Sequence, residues 1–155
     1  MNDIEQRLKA LGIVLPEAPK PMGNFLSYLL EDTNLYVSGQ VSIDNEGKVV
    51  RGKLGGTIDL AAGQQAAKYC AIGLLARTKA ALGDLNRIEK LVKLGAFVNA
   101  SPDFRDHPKV VNGASDFMVD VLGEKKGAHV RFAVGSSSLP SGAAVEIEAL
   151  FKVSV

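Results

Sequence analysis

An arginine stands where a strand would ordinarily carry an aliphatic side chain: Arg131 lies between Val130 and Phe132 in the run His129-Val130-Arg131-Phe132-Ala133-Val134. Its guanidinium is a planar fork of donors suited to a carboxylate. Further on, Glu146 and Glu148 alternate with aliphatics. Over 145–155 the odd positions Val145, Ile147, Ala149, Phe151, Val153 and Val155 are apolar, while Glu146, Glu148 and Lys152 take even ones. That is the period-two pattern of a half-buried strand, here with carboxylates on one face, a residue type fit for moving protons. With 130–135 as a second short strand and 136–142 as a wide turn around Leu139-Pro140 and Gly142, the sequence predicts a hairpin that sets Arg131 near Glu146. On the residues alone Arg131 has two readings, an anchor for an anionic substrate or a structural or interfacial salt bridge, for instance to Glu148. Glu146 and Glu148 likewise read either as working acids or as a solvated strand face.

Other residues with chemical potential are few. His107, in a proline-flanked loop, and His129, two residues before Arg131 and so able to share its face, are candidate general acids. Cys70 is the one cysteine. It excludes an internal disulfide framework and a Cys/His metal cluster, and without a base at helical spacing it reads as a small buried hydrophobe. A reducing compartment fits this usage. The Arg51-Gly52-Lys53-Leu54-Gly55-Gly56 stretch lacks the spacing of a phosphate-cradling loop and reads as a turn.

The elements that must position these residues follow from periodicity. Ile4, Leu8 and Leu11 repeat at helical spacing over 2–11, with Asn2 as N-cap and Gly12 just past the end; Pro16, Pro19 and Pro21 then forbid a continuing helix. Strands are expected over 24–31 and 34–42 around an Asp32-Thr33 turn, with a short strand over 48–51 after the turn at 44–47. Asp59 caps a long helix over 60–82 closed by Gly83, whose small residues Ala62, Ala66, Cys70 and Gly73 let it lie close on a sheet. A strand over 88–100 carries Ile88, Val92, Leu94, Ala96 and Val98 on one face. A second helix over 109–122 shows the stripe Val110, Ala114, Phe117 and Val121. Strands interleaved with two helices in one short chain predict an α+β fold, a single sheet with both helices on one face.

Arg131, the Leu139-Pro140 pair and the run Ala143-Ala144-Val145-Glu146-Ile147-Glu148 resemble the C-terminal signature of the Rid family (YjgF/RidA, also labelled endoribonuclease L-PSP), and Val37-Ser38-Gly39-Gln40 resembles its N-terminal strand motif. The resemblance covers 21–155 as one family core, within a single 1–155 domain whose residues 1–20 form an N-terminal helical extension. It implies the chorismate-mutase-like fold, a homotrimer whose sheets form a central barrel, and sites between subunits. It further implies an enamine/imine deaminase, a hydrolase converting 2-imino or 2-enamino acids to 2-oxo acids and ammonia without cofactor or metal. In that reading Arg131 grips the substrate carboxylate, Glu146 positions or activates water, and Phe25, Ser38, Asn112 and Ala133 line the pocket. Alternatives within the same fold are a non-catalytic metabolite-binding trimer and an endoribonuclease or translation inhibitor. The chain departs from the pattern in having Phe25 for a tyrosine, Asn24 for a proline, Ala133 for a frequent cysteine, and two extra residues between Asn112 and Arg131. A divergent subgroup accommodates these departures.

Composition narrows the classes that remain. The 155 residues are 46% hydrophobic with 16 Gly, enough for one well-formed core and no sign of disorder. A net charge of +1 gives none of the basic footprint of a nucleic-acid binder. The start Met1-Asn2-Asp3-Ile4-Glu5 mixes acids into a stretch without an apolar run, so neither a targeting peptide nor a membrane span is expected and a cytoplasmic protein is.

Overall fold

The computed structural model describes residues 3–155. In chain order the elements are α1 (Ile4–Ala10), β1 (Tyr28–Glu31), β2 (Asn34–Val41), α2 (Leu60–Leu82), β3 (Ile88–Asn99), α3 (His107–Leu122), the single turn α4 (Glu124–Gly127), β4 (Val130–Ser136) and β5 (Val145–Val153). The five strands make one mixed sheet in the order β1-β2-β5-β3-β4. Only the β3–β4 pair is parallel; β5 runs antiparallel to both β2 and β3 and separates them.

This topology corrects the expected hairpin. β4 and β5 are not paired; β3 lies between them. Two strands joined through a helix are set parallel by their connection, and β3–α3–β4 is such a unit. The expected strand over 48–51 is also reduced to isolated bridges, Ile43 to Val49 and Arg51 to Ala143. α1 is capped by Asp3, whose carboxylate accepts from the Glu5 amide; Asn2, the expected cap, lies outside the described residues.

Both long helices pack on one face of the sheet, as the spacing predicts. Asp59 accepts from the Ala62 amide at the start of α2, and Gly83, at a φ of 76°, ends it. α2 and α3 cross closely because Gly113 has no side chain: a Cβ there would overlap the backbone carbonyl of Gln64. Leu91, Leu94, Ala96 and Val98 of β3, with Val145, Ile147 and Phe151 of β5, meet Cys70, Leu74, Val110, Ala114 and Met118 in a continuous core. Val92 is only half-buried, because β3 slips register against β5 between Ile88 and Lys93 and so shifts the predicted face. α1 docks Ile4 and Leu8 into this core, and Arg7 reaches the Val121 carbonyl at 3.3 Å.

Among the described residues no helix covers the other face of the sheet. Register places Leu29, Tyr36, Leu150 and Lys93 in one row across it, Glu148, Gly95 and Phe132 in the next, and Glu146, Phe97 and Val134 in a third. Leu29 is 48%, Tyr36 47%, Phe97 37% and Val134 42% exposed.

Candidate functional site

The residues singled out from the sequence fall into two groups at opposite sides of the sheet. The first surrounds Glu146. β2 carries a bulge between Val37 and Gln40, so Ser38 and Gly39 leave the ladder beside β5. The Glu146 carboxylate lies over the gap: a Cβ on Gly39 would stand 2.9 Å from Glu146 Oε2. Ser38 ties this bulge to the preceding segment, its hydroxyl donating to the Leu26 carbonyl at 2.6 Å and its amide to the Ser27 carbonyl at 2.9 Å. Phe25, next to Leu26, is 56% exposed. Partial burial, with the nearby Glu148 carboxylate second, raises the Glu146 pKa above the ordinary carboxylate value. Glu148 occupies the neighbouring row over Gly95, where a Cβ would come within 2.9 Å of its Oε1.

The second group surrounds Arg131 on the edge strand β4. Arg131 pairs with Leu94 of β3, which is fully buried beneath the helices, so the arginine projects on the helix face. Its Nη1 donates to Ser115 Oγ at 3.0 Å and its Nη2 to the Pro108 carbonyl at 3.1 Å, both on α3. The structural bridge to Glu148 is therefore overturned, since Glu148 lies on the opposite face. Two of five guanidinium N–H donors are taken in this way, which fixes the fork while leaving the rest available. Ala133 follows on the same strand face, half-buried against the core. Asn112 is exposed, at helical spacing between Pro108 and Ser115 on the α3 stripe that faces Arg131.

Sequence reasoning named His129 as a candidate general acid but missed Ser115 and Gly127, through which it joins this arrangement. His129 Nδ1 lies 2.6 Å from the Gly127 carbonyl, which can only accept, so the neutral ring carries its proton there and Nε2 accepts from Ser115 Oγ at 2.9 Å. The resulting chain runs from Gly127 through His129 and Ser115 to Arg131. His129 thus reaches Arg131 through the serine; its spacing from Arg131 was the available signal. His107 sits against Gly135, where a Cβ would meet its Nε2 at 2.7 Å, and its ring meets Phe104 edge-on at 5.2 Å. Gly39 and Gly95 give no sign of their role until the carboxylates above them are seen. Cys70 is buried, donates to the Val145 carbonyl at 3.4 Å, and burial pushes its thiol pKa well up, which leaves it unreactive.

Arg131 and Glu146 of one chain thus lie on opposite faces of the sheet, with β3 between their strands. One small substrate cannot reach both.

Comparison with known proteins agrees with the architecture. Residues 5–151 match the family model described as "YjgF/chorismate_mutase-like, putative endoribonuclease", a span that includes α1. The chain is 44% identical over 150 residues to Protein TCP17 of Trypanosoma cruzi, covering 97% of this chain and 94% of that one. Among solved structures it is similar to Atu1372 of Agrobacterium tumefaciens, a protein of unknown function, at 43% identity with a TM-score of 0.90, over 97% of this chain and 92% of that one. It is also similar to a protein of Shewanella oneidensis called a putative endoribonuclease, at 28% identity with a TM-score of 0.93, over 98% of this chain and all of that one.

Proposed function

The chain belongs to the YjgF/RidA family, and on that premise we propose that it is an enamine/imine deaminase whose active sites form between protomers of a homotrimer. The observation that carries this reading is the division of the candidate residues. Phe25, Ser38 and Glu146 lie by the β2 bulge, while Asn112, Ala133 and Arg131 lie at the β4 edge. A head-to-tail contact that brings the first group of one protomer to the second group of its neighbour, repeated around an axis, closes a ring and completes one site per interface. The exposed Leu29, Tyr36, Phe97 and Val134, on the sheet face opposite the helices, are apolar surface such a ring would cover.

In a site of this kind Arg131 holds the carboxylate of a 2-imino acid through two parallel charge-assisted bonds and aims the imine carbon toward the neighbour's Glu146. Glu146, whose pKa partial burial raises above the ordinary carboxylate value, accepts a proton from water as the water oxygen bonds to that carbon. The C=N pair moves to nitrogen, which takes up a proton. In the carbinolamine the hydroxyl proton passes by way of Glu146 to the nitrogen as the C–N bond breaks with its pair going to nitrogen, giving a 2-oxo acid and ammonia. Imines hydrolyse readily in water, so a positioned water and one proton-handling group suffice. Phe25 offers a ring where a phenol is common, which favours an apolar substrate side chain.

The test generates imino acids in situ with an amino-acid oxidase and follows their capture by semicarbazide. The purified protein should lower semicarbazone formation, and Arg131→Ala should not. A wild-type trimer that leaves semicarbazone formation unchanged with every imino acid tried would reduce it to a binder of the same metabolites.

A further inference from the structure

Arg77, on the side of α2 away from β4, is 8% exposed. Among the described residues its only hydrogen bond is a long one, 3.4 Å from Nη1 to the Gly73 carbonyl in its own helix, and its Nε has no partner. The ion pairs among the described residues, Lys48–Glu46, Lys79–Glu5 and Lys109–Asp106, do not involve it. A buried guanidinium left this way is costly, and such groups are as a rule satisfied by something. Burial depresses its pKa, but an arginine keeps its charge. Arg77 lines a cavity of about 580 Å³ at the edge of β2 beyond the end of β1, closed over by residues 12–19. Its walls are largely apolar, with Ile13, Leu15, Pro16, Val41, Ile43 and Ile72 among them. A volume of this size matches small-molecule sites, which pair an apolar lining with a few fixed polar groups.

We propose that this cavity is a second small-molecule site, separate from Arg131 and Glu146, which takes a monocarboxylate with an apolar body on Arg77. The charge fixes the class. One buried cation is neutralised by one negative charge, whereas a phosphate dianion would leave an excess facing Glu17 and Asp44, which also line the cavity. Asp44 is not the missing partner: it forms no ion pair with Arg77 among the described residues, and its Oδ1 is held in its own turn by the amides of Glu46 and Lys48, each at 2.9 Å. The polar end of Gln40 is also engaged, donating to the Ser38 carbonyl at 2.9 Å. The apolar walls accept the body of the acid, and residues 12–19, which follow α1, form the cover.

Titration calorimetry tests this with hexanoate, 1-hexanol and inorganic phosphate, all in Arg131→Ala protein so that the other arginine cannot contribute. One hexanoate should bind per protomer, with neither hexanol nor phosphate taken up. Adding Arg77→Met should weaken hexanoate at least about tenfold, the loss of a charge-assisted pair. Gly73→Leu serves as a second variant: a Cβ there meets Gln40 at an ordinary 3.5 Å, so the helix accepts it while the longer side chain occupies the cavity. It too should lose hexanoate. No binding to the parent, or equal binding to parent and Gly73→Leu, would overturn the proposal. Neither result touches the deaminase reading, which rests on other residues.

Discussion

Arg131 is held at one end and open at the other. Its bonds to Ser115 and to the Pro108 carbonyl are partly solvent-exposed, so they contribute only about 1–2 kcal/mol. Arg131→Lys keeps the charge but loses the fork; imine hydrolysis should fall at least about a hundredfold while the melting temperature drops by only a few degrees. Kinetics and calorimetry on one preparation read both, and retained activity would show that the fork is not needed. Ser115→Ala leaves the arginine in place but cuts its link to His129, so KM should rise more than kcat falls. Glu146 gives a pH prediction with a definite sign. Its folded pKa is raised, so the stability linked to it is present below the ordinary carboxylate range and is lost as pH rises through the raised value. Glu146→Gln should therefore be more stable than the parent at neutral pH, and the difference should close as the solution is acidified toward pH 4. Melting curves across that range decide it, and a constant difference would mean that Glu146 is not the group responsible.

Glycines set the distances between elements, and two of them separate stability from function. Gly113→Ala would push α3 off the Gln64 backbone of α2, which neither helix can relieve locally, and should cost more than about 2 kcal/mol in denaturant unfolding. Gly39→Ala meets only the far end of the Glu146 side chain, so it should melt nearly as the parent does while losing turnover. At this scale much of the fold was legible: the Asp59 cap, Gly83 and the stripe Val110, Ala114, Phe117 and Val121 mark both helices. What periodicity could not supply was the pairing. An alternating strand records which face is buried and not which neighbour it joins, so 130–135 and 145–155 read as a hairpin although β3 separates them. The strand–helix–strand order of β3, α3 and β4 held the correct answer. The same omission joined Arg131 to Glu146 in one chain, where the sheet puts them on opposite faces. The cavity at Arg77 had no local signature at all, because the helix, the β2 edge and residues 12–19 that enclose it meet only in the folded molecule.

Among the described residues nothing covers the second face of the sheet, and the proposed ring of protomers would account for both that face and the divided site. Light scattering should give about three times the 16.4 kDa of one chain. Phe97→Glu, at a position 37% exposed in the single chain, should dissociate the assembly and abolish turnover together. Among the described residues no helix is long and apolar enough to cross a membrane. The central claim is that Arg131 of one protomer works with Glu146 of the next. Arg131→Ala and Glu146→Gln proteins, each inactive alone, can be unfolded together in equal amounts and refolded as mixed rings. If the site is shared, the Arg131 of a Glu146→Gln protomer meets the Glu146 of an Arg131→Ala neighbour at one interface in four, and about a quarter of wild-type imine hydrolysis returns. If both residues serve the same site from one chain, every site in every mixed ring is defective, and the mixture stays as inactive as its parents.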